Sequence, residues 1–319
     1  MRVATRRSAL ARAQAFQTAR ALAGDDAELV PLRTTADREP DKLVADFGTK
    51  GLFVDALREA VLDGDCDIAV HSYKDLPTEP VDGLVVGAVP PRADARDLLV
   101  TRDGHALSTL PRISTVGTSS ERRRVQLLRA RPDLQVISVR GNLDTRLRKV
   151  HEGEFDAIVV ALAGLQRLYT PEEDGGVGPL GLPLHAVPLE PGECLPSPAQ
   201  GALAVECRRD DAETRKRLAR VEDAGARATV TAERSFLATV GGGCLAPIGA
   251  LATELPGRVL ELAAMLADPG RRKVLRRSLR GPIAEPERLG RELAQQMLAD
   301  GGEQLVAAVQ ERRDREAGG

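Results

Sequence analysis

Through its first two thirds the chain alternates short runs of β-branched and aliphatic residues with stretches whose apolar positions recur at helical spacing, a layout that restricts it to α/β architecture. Strands are predicted at 28–33, 67–70, 84–89, 113–116, 136–139 and 157–160, with helices in the gaps. In 51–63 the residues Leu52, Phe53, Ala56, Leu57, Ala60 and Val61 recur in pairs four apart, one stripe of an amphipathic helix. A βαβ order of this kind predicts largely parallel sheets.

The pattern breaks between 171 and 198, where seven Pro and five Gly leave no room for a regular element, so this stretch is expected to be a long loop or crossing segment. Beyond it a helix is predicted over 224–238. Three strands follow at 248–253, 259–266 and 273–279, separated by Leu255-Pro256-Gly257 and Asp268-Pro269-Gly270 turns, the pattern of an antiparallel meander. Leu289, Leu293 and Met297 then mark a last helix, with Gly301-Gly302 as its stop. A length of 319 residues suits two or three domains, the last a small α+β unit.

Composition narrows the function. Cys66, Cys194, Cys207 and Cys244 are scattered, with no CxxC pair or Cys/His cluster, which argues against a disulfide scaffold or structural zinc. Aromatic residues are 2% of the chain and Trp is absent, so stacking platforms for single-stranded nucleic acid are nearly lacking, and a net charge of −2 is not that of a basic nucleic-acid binder. The longest apolar run, 157–165, is too short to span a membrane, and a soluble, unexported protein is expected. Charge is uneven: residues 112–149 carry ten basic against three acidic side chains, a net +7. That concentration suits an anionic partner, and it also suits a solvated basic helix face.

Four places could carry chemistry. After the strand ending at Val116, Gly117-Thr118-Ser119-Ser120 leads into Glu121-Arg122-Arg123-Arg124, a strand–turn–helix entry where free amides, hydroxyls and the helix dipole would favour an anion; Thr118 or Ser119 reads equally as an ordinary helix cap. A second entry, Arg140-Gly141-Asn142 with Arg146 one turn on, aims further guanidinium groups at the same sheet edge, where open α/β sheets bind ligands. Planar guanidinium pairs with carboxylate through two parallel bonds, whereas no GxxxxGK[ST] run, and no GxGxxG fingerprint between a strand and a helix, supports a nucleotide. The run from Asp67 to Asp75 ends in Lys74-Asp75, a pair that could neutralise each other or set a carboxylate beside a cationic site. Finally, Gly241-Gly242-Gly243 leaves the thiol of Cys244 accessible as a nucleophile or attachment point, a structural cysteine being the alternative.

Taken in order, Ala4-Thr5-Arg6, Lys50-Gly51-Leu52-Phe53, His71-Ser72-Tyr73-Lys74-Asp75-Leu76-Pro77, Val116-Gly117-Thr118-Ser119-Ser120, Arg140-Gly141-Asn142, Gln200-Gly201-Ala202 and Gly242-Gly243-Cys244-Leu245-Ala246-Pro247-Ile248-Gly249 resemble the porphobilinogen deaminase, or hydroxymethylbilane synthase, family from residue 2 to about residue 310. The resemblance implies two α/β lobes like those of a type II periplasmic binding protein, with the chain crossing between them twice, and a small C-terminal α+β domain. The corresponding boundaries are 1–93 with 201–219, 97–196, and 222–319. It further implies a transferase that joins four porphobilinogen molecules head to tail, each losing ammonia, on a dipyrromethane cofactor held by a thioether to Cys244.

By the same resemblance Asp75 is catalytic, opposing the cation left by ammonia loss. Lys74, Thr118, Ser120, Arg122 and Arg123 fall on the cofactor side, while Arg6, Ser8, Gln14, Arg140, Arg146 and Gln200 hold substrate. No metal is expected, and the protein is expected to be a cytoplasmic monomer that binds neither nucleic acid nor membrane. Ala36, Ala199 and Leu245 depart from the commonest family pattern without removing a charged group. Ala199 replaces a frequent Gly near a crossover, which implies a stiffer hinge.

Overall fold

The continuous apolar strands of this chain are buried on both faces, as in a sheet covered by helices on either side. In a computed structural model the described residues are 1–33, 54–169, 179–241, 247–268, 270 and 273–307. Along the central strand β8 (Ala157–Ala161), Ile158 and Val160 pack into one core while Ala157 and Val159 pack into another on the opposite face.

The first sheet holds β1 (Arg2–Arg6), β2 (Glu28–Leu32), β3 (Ile68–Ser72), β4 (Leu84–Ala88) and β10 (Leu203–Arg208) in the order β2-β1-β3-β10-β4. The second holds β5 (Asp97–Thr101), β6 (Thr115–Gly117), β7 (Gln135–Ile137), β8 and β9 (His185–Leu189) in the order β7-β6-β8-β5-β9. The two orders are the same: second, first and third strands parallel, then an antiparallel strand, then the fourth. In each sheet the antiparallel strand is the one that has just crossed from the other lobe, β5 arriving from β4 and β10 returning from β9. This exchange makes the sheets mixed where the alternation predicts mainly parallel ones.

The predicted long loop needs correction. Residues 185–189 form β9, paired to β5 with Pro188 opposite Leu98. An edge strand bonds on one side only, so it tolerates a residue without an N–H, and the density of prolines concealed it. Strands β1, β5 and β10 were also not individually predicted.

Helices follow the strands: α1 (Ala9–Ala23), α2 (Asp55–Leu62), α3 (Glu121–Ala130), α4 (Leu143–His151), α5 (Leu162–Leu168) and α6 (Ala212–Leu218). Leu57 and Val61 of α2 face the core as their spacing predicts, while Leu52 and Phe53 lie outside the described residues. Behind β3 and β10, Arg58 donates two hydrogen bonds of 2.9 Å to the buried carboxylate of Glu206, and His71 Nε2 lies 3.1 Å from the same group. Burial pushes the Glu206 carboxyl up, but His71 and Arg58 outweigh it and hold it at about 2.

The C-terminal unit is the predicted meander, β11 (Ile248–Leu255), β12 (Val259–Ala267) and β13 (Val274–Pro282), packed against α7 (Ala224–Val240) and α8 (Pro286–Met297). Helix α7 is capped by Asp223, which accepts from Ala226 N at 2.7 Å, and ends at Gly241 in the left-handed conformation. Gly301, at φ +98, interrupts the last helix, and helical turns resume over 303–307.

The crossing segments, 89–96 and 190–202, touch at Gly201, whose amide oxygen accepts from Ala93 N at 3.2 Å. A Cβ at Gly201, where φ is +87, would collide with the Ala93 carbonyl. Ala199 sits at φ +62, a conformation that costs an L-residue with a Cβ about 1–2 kcal/mol.

Candidate active site

The carboxyl ends of the parallel strands in both lobes face one another, and the turns leaving them build a cleft. From the first lobe, β1 ends at Arg6. Ser8 then caps α1 by accepting from Ala11 N at 3.3 Å. Strand β3 ends at Ser72, followed by the tight turn Tyr73–Asp75. From the second lobe come the first turns of α3 and α4 and the start of α5. A cavity of about 280 Å³ lies between them, lined by Arg6, Ser8 and Lys74 on one side and by Arg123, Arg146 and 141–144 on the other. An adjoining pocket of about 80 Å³ shares Arg6 and Ser8 and adds Gln14, His71, Ser72 and Asp75.

The cations are held by a buried polar chain that joins the lobes. Asp97, fully buried where the first crossing segment becomes β5, accepts from Arg122 Nη1 at 2.8 Å and from Arg123 Nη2 at 2.8 Å. It also accepts from Gln200 Nε2 at 2.8 Å. Gln200, whose amide is oriented by that bond and by another to Ala95 O, accepts from Lys74 Nζ at 3.1 Å. Burial alone would raise the Asp97 carboxyl, but the two guanidinium groups outweigh it and hold it well below the usual carboxylate range. Desolvation lowers the Lys74 ammonium to about 8, with Asp75 opposing the shift and Arg123 adding to it. Arg146 is lowered by burial and by Arg123, and its Nε donates to Gly141 O at 2.8 Å.

The predicted residues therefore divide. Arg6, Ser8, Lys74, Arg123 and Arg146 line the larger cavity, and Gln14 and Asp75 line the adjoining pocket, with the Gln14 amide 2.9 Å from the Ser72 hydroxyl. Gln200 is buried behind Lys74. Arg122 faces away from the cavity, donating to Asp97 and to Leu195 O at 2.6 Å. Arg140 is exposed beside Gly141 and Asn142, which do line the cavity.

The hydroxyls turn inward: Ser120 is the helix cap, accepting from Arg123 N at 3.4 Å, and Thr118 accepts from Ser120 N at 3.2 Å. Ser119 donates to Val139 O at 2.6 Å, tying the two helix entries together. Cys244 lies outside the described residues, as do Ala36 and Leu245. The thiols of Cys66, Cys194 and Cys207 are buried, and burial pushes Cys194 up to about 12, in keeping with inert sulfur.

Two participants were not foreseen. Asp97 carries no motif, since an acidic residue at a strand start has no sequence signature. Asp144, an acidic residue on the wall of the larger cavity, accepts from Tyr169 Oη at 2.6 Å, a contact between residues 25 apart that spacing does not reveal.

Paired lobes of this topology, with guanidinium and ammonium groups converging on the gap between them, form a two-lobed protein whose cleft suits a small organic polyanion. Residues 1–216 match the family model described as porphobilinogen deaminase, dipyromethane cofactor binding domain, and residues 227–299 match that of the porphobilinogen deaminase C-terminal domain. The chain is 46% identical to the porphobilinogen deaminase of Acidothermus cellulolyticus, over 97% of this chain and 91% of that protein. It is 43% identical to that of Brevibacillus brevis, over 97% of each. Among solved structures, the VFT2 domain of Bordetella pertussis BvgS is similar with a TM-score of 0.38 and 16% identity, covering 69% of this chain and 85% of that one, a likeness too distant to add to the topology. The chain belongs to the porphobilinogen deaminase family.

Proposed function

We propose that the interlobe cleft is where this chain performs the family's reaction, the head-to-tail joining of four porphobilinogen molecules, with loss of ammonia from each, into hydroxymethylbilane. On this reading the chain is a transferase of tetrapyrrole and haem biosynthesis. The observation that carries the assignment is the convergence of Arg6, Lys74, Arg123 and Arg146 on one cavity with Asp75 in the pocket beside it.

The residues fit the family's dipyrromethane. Each pyrrole bears an acetate and a propionate, and the cavity offers cations for such carboxylates on both sides, Lys74 and Arg123 toward the cofactor and Arg6 and Arg146 toward the substrate. Lys74 and Arg123 would hold it, with Arg122 positioned behind them and Cys244 as its covalent anchor. When bound, the dipyrromethane supplies the pyrrole carbon to which the next unit is joined, and it remains on the protein when product leaves.

The chain's own residues do the rest. Arg6, Ser8, Arg140 and Arg146 bind the carboxylates of incoming porphobilinogen and orient its ring, and Gln14 and Gln200 belong to the same substrate side. Thr118 and Ser120 shape the α3 entry from which Arg123 projects. Asp75, exposed at the turn after β3, sets a negative charge against the cation that ammonia loss creates on the substrate. Lys74 is kept in place by Gln200, so the first lobe delivers a cation and an anion from adjacent positions.

The proposal includes the domain limits 1–93 with 201–219, 97–196 and 222–319. It also includes a cytoplasmic monomer that binds neither nucleic acid nor membrane; the charge of −2 and the 2% aromatic content support the exclusion of nucleic acid. Among the described residues no helix is long and apolar enough to cross a membrane.

Mass spectrometry of the intact protein tests the assignment. The protein should exceed its sequence mass by two linked pyrrole units, and Cys244→Ser should lack that increment. An unmodified mass together with failure to consume porphobilinogen would leave a two-lobed anion-binding protein without covalent chemistry.

A further inference from the structure

Arg234 stands on α7, in the C-terminal domain, and reaches across to the first lobe. Its guanidinium lies over the Tyr73 ring, 4.5 Å from the centroid. Nη1 donates to Leu76 O at 2.8 Å and Nη2 donates to Pro77 O at 2.6 Å. A further, longer bond runs from Nη1 to Tyr73 O at 3.3 Å. One planar group therefore grips both ends of the turn that carries Lys74 and Asp75. Within itself the turn has three residues, no side-chain cap and a closing bond from Leu76 N to Tyr73 O at 3.2 Å. Tyr73 N also donates to Ala202 O at 3.0 Å, Lys74 is held by Gln200, and Tyr73 and Leu76 are buried, while Arg234 ties the carbonyls. With its side chains anchored at Tyr73, Lys74 and Leu76, a turn this short still depends on outside donors to fix its carbonyls.

We infer that Arg234 is a positioning residue for the reaction, setting the Lys74–Asp75 turn of the first lobe from the C-terminal domain. The inference rests on the assignment of Asp75 to the chemistry. Arg234 touches neither cavity, so it acts through the turn. Its helix runs directly to Gly241, after which the chain enters the segment containing Cys244. The same rigid element therefore leads into the attachment segment and holds the turn that acts on the substrate. Lysine does not substitute, because a point charge cannot span two carbonyls and stack on a ring at once.

Arg234→Met, which keeps the aliphatic stem, and Arg234→Lys, which keeps the charge, test this in the full holoenzyme. For Arg234→Met, amide exchange at 74–76 should quicken about tenfold, as expected when a charged hydrogen bond is lost. Turnover should fall by a similar factor with KM for porphobilinogen within about twofold, since a misplaced Asp75 weakens transition-state contacts more than substrate binding. Arg234→Lys should recover only part of the turnover, and it serves for the comparison if the methionine variant does not fold. Unchanged exchange at 74–76, or full turnover despite a lowered melting temperature, overturns the inference and leaves Arg234 a structural tie. Asp75→Asn run alongside separates the two claims: near-normal turnover in that variant removes the Asp75 assignment, whereas its loss beside an active Arg234→Met removes only the role of Arg234.

Discussion

The carboxylate of Glu233 on α7 holds the guanidinium of Arg92 through paired contacts of 2.7 and 3.0 Å, joining the C-terminal domain to the segment that leaves the first lobe. The same carboxylate accepts from Ala199 N at 2.6 Å on the returning segment and from Ala252 N at 2.8 Å on β11. Both crossings between the lobes are thus fastened to one side chain with no solvent exposure.

Glu233→Gln should therefore destabilise the protein by about 3–5 kcal/mol, because it leaves the Arg92 guanidinium buried beside an amide in place of its counter-charge. Urea unfolding measures this directly, and a midpoint close to that of the parent would show that the crossings do not depend on the ion pair.

Lys74 makes the site sensitive to alkali. Its ammonium is lowered from near 10.5 to about 8, so in the ligand-free protein it loses its proton before the unfolded chain does. The penalty for dehydrating the ammonium is present in full below about pH 8 and fades as pH rises toward 10.5. Stability from this group therefore increases with pH across that window. Affinity for a polycarboxylate probe such as citrate should fall over the same range as the positive charge disappears. A side-chain titration of Lys74 in the Cys244→Ser protein should show a midpoint near 8, and a midpoint at the ordinary lysine value would contradict the burial assigned to it.

Gly201→Ala should be costly. The residue is at φ +87, and an added methyl would strike the carbonyl of Ala93 on the other crossing segment, backbone that cannot swing away. Conformational strain and overpacking together suggest a loss of about 3 kcal/mol. Thermal unfolding measures it, and a melting temperature equal to that of the parent would mean the two segments can part freely.

Asp75→Asn should fold normally, since the side chain is exposed, yet lose turnover by about 100-fold or more, because the cationic intermediate loses its counter-charge. Ammonia release provides the assay. A rate near that of the parent would take Asp75 out of the mechanism.

Local pattern determined much of this protein. Helix stripes, capping residues, the meander and the strand–turn–helix entries at 117–124 and 140–146 all depend on residues within a few positions of one another, so the sequence displays them. The motifs around Lys74, Arg140 and Cys244 identified the family for the same reason. Tertiary structure alone decided which cations meet. Arg122 and Arg123 are adjacent in the chain, yet one turns to Leu195 and the other to the cavity, because Asp97 and the returning segment occupy the space between them. Lys74 reaches Gln200 across 126 residues, and Glu233 reaches Arg92 across 141. Such partners are chosen by how two crossing segments and a third domain pack, and that packing carries no local period for a sequence to show.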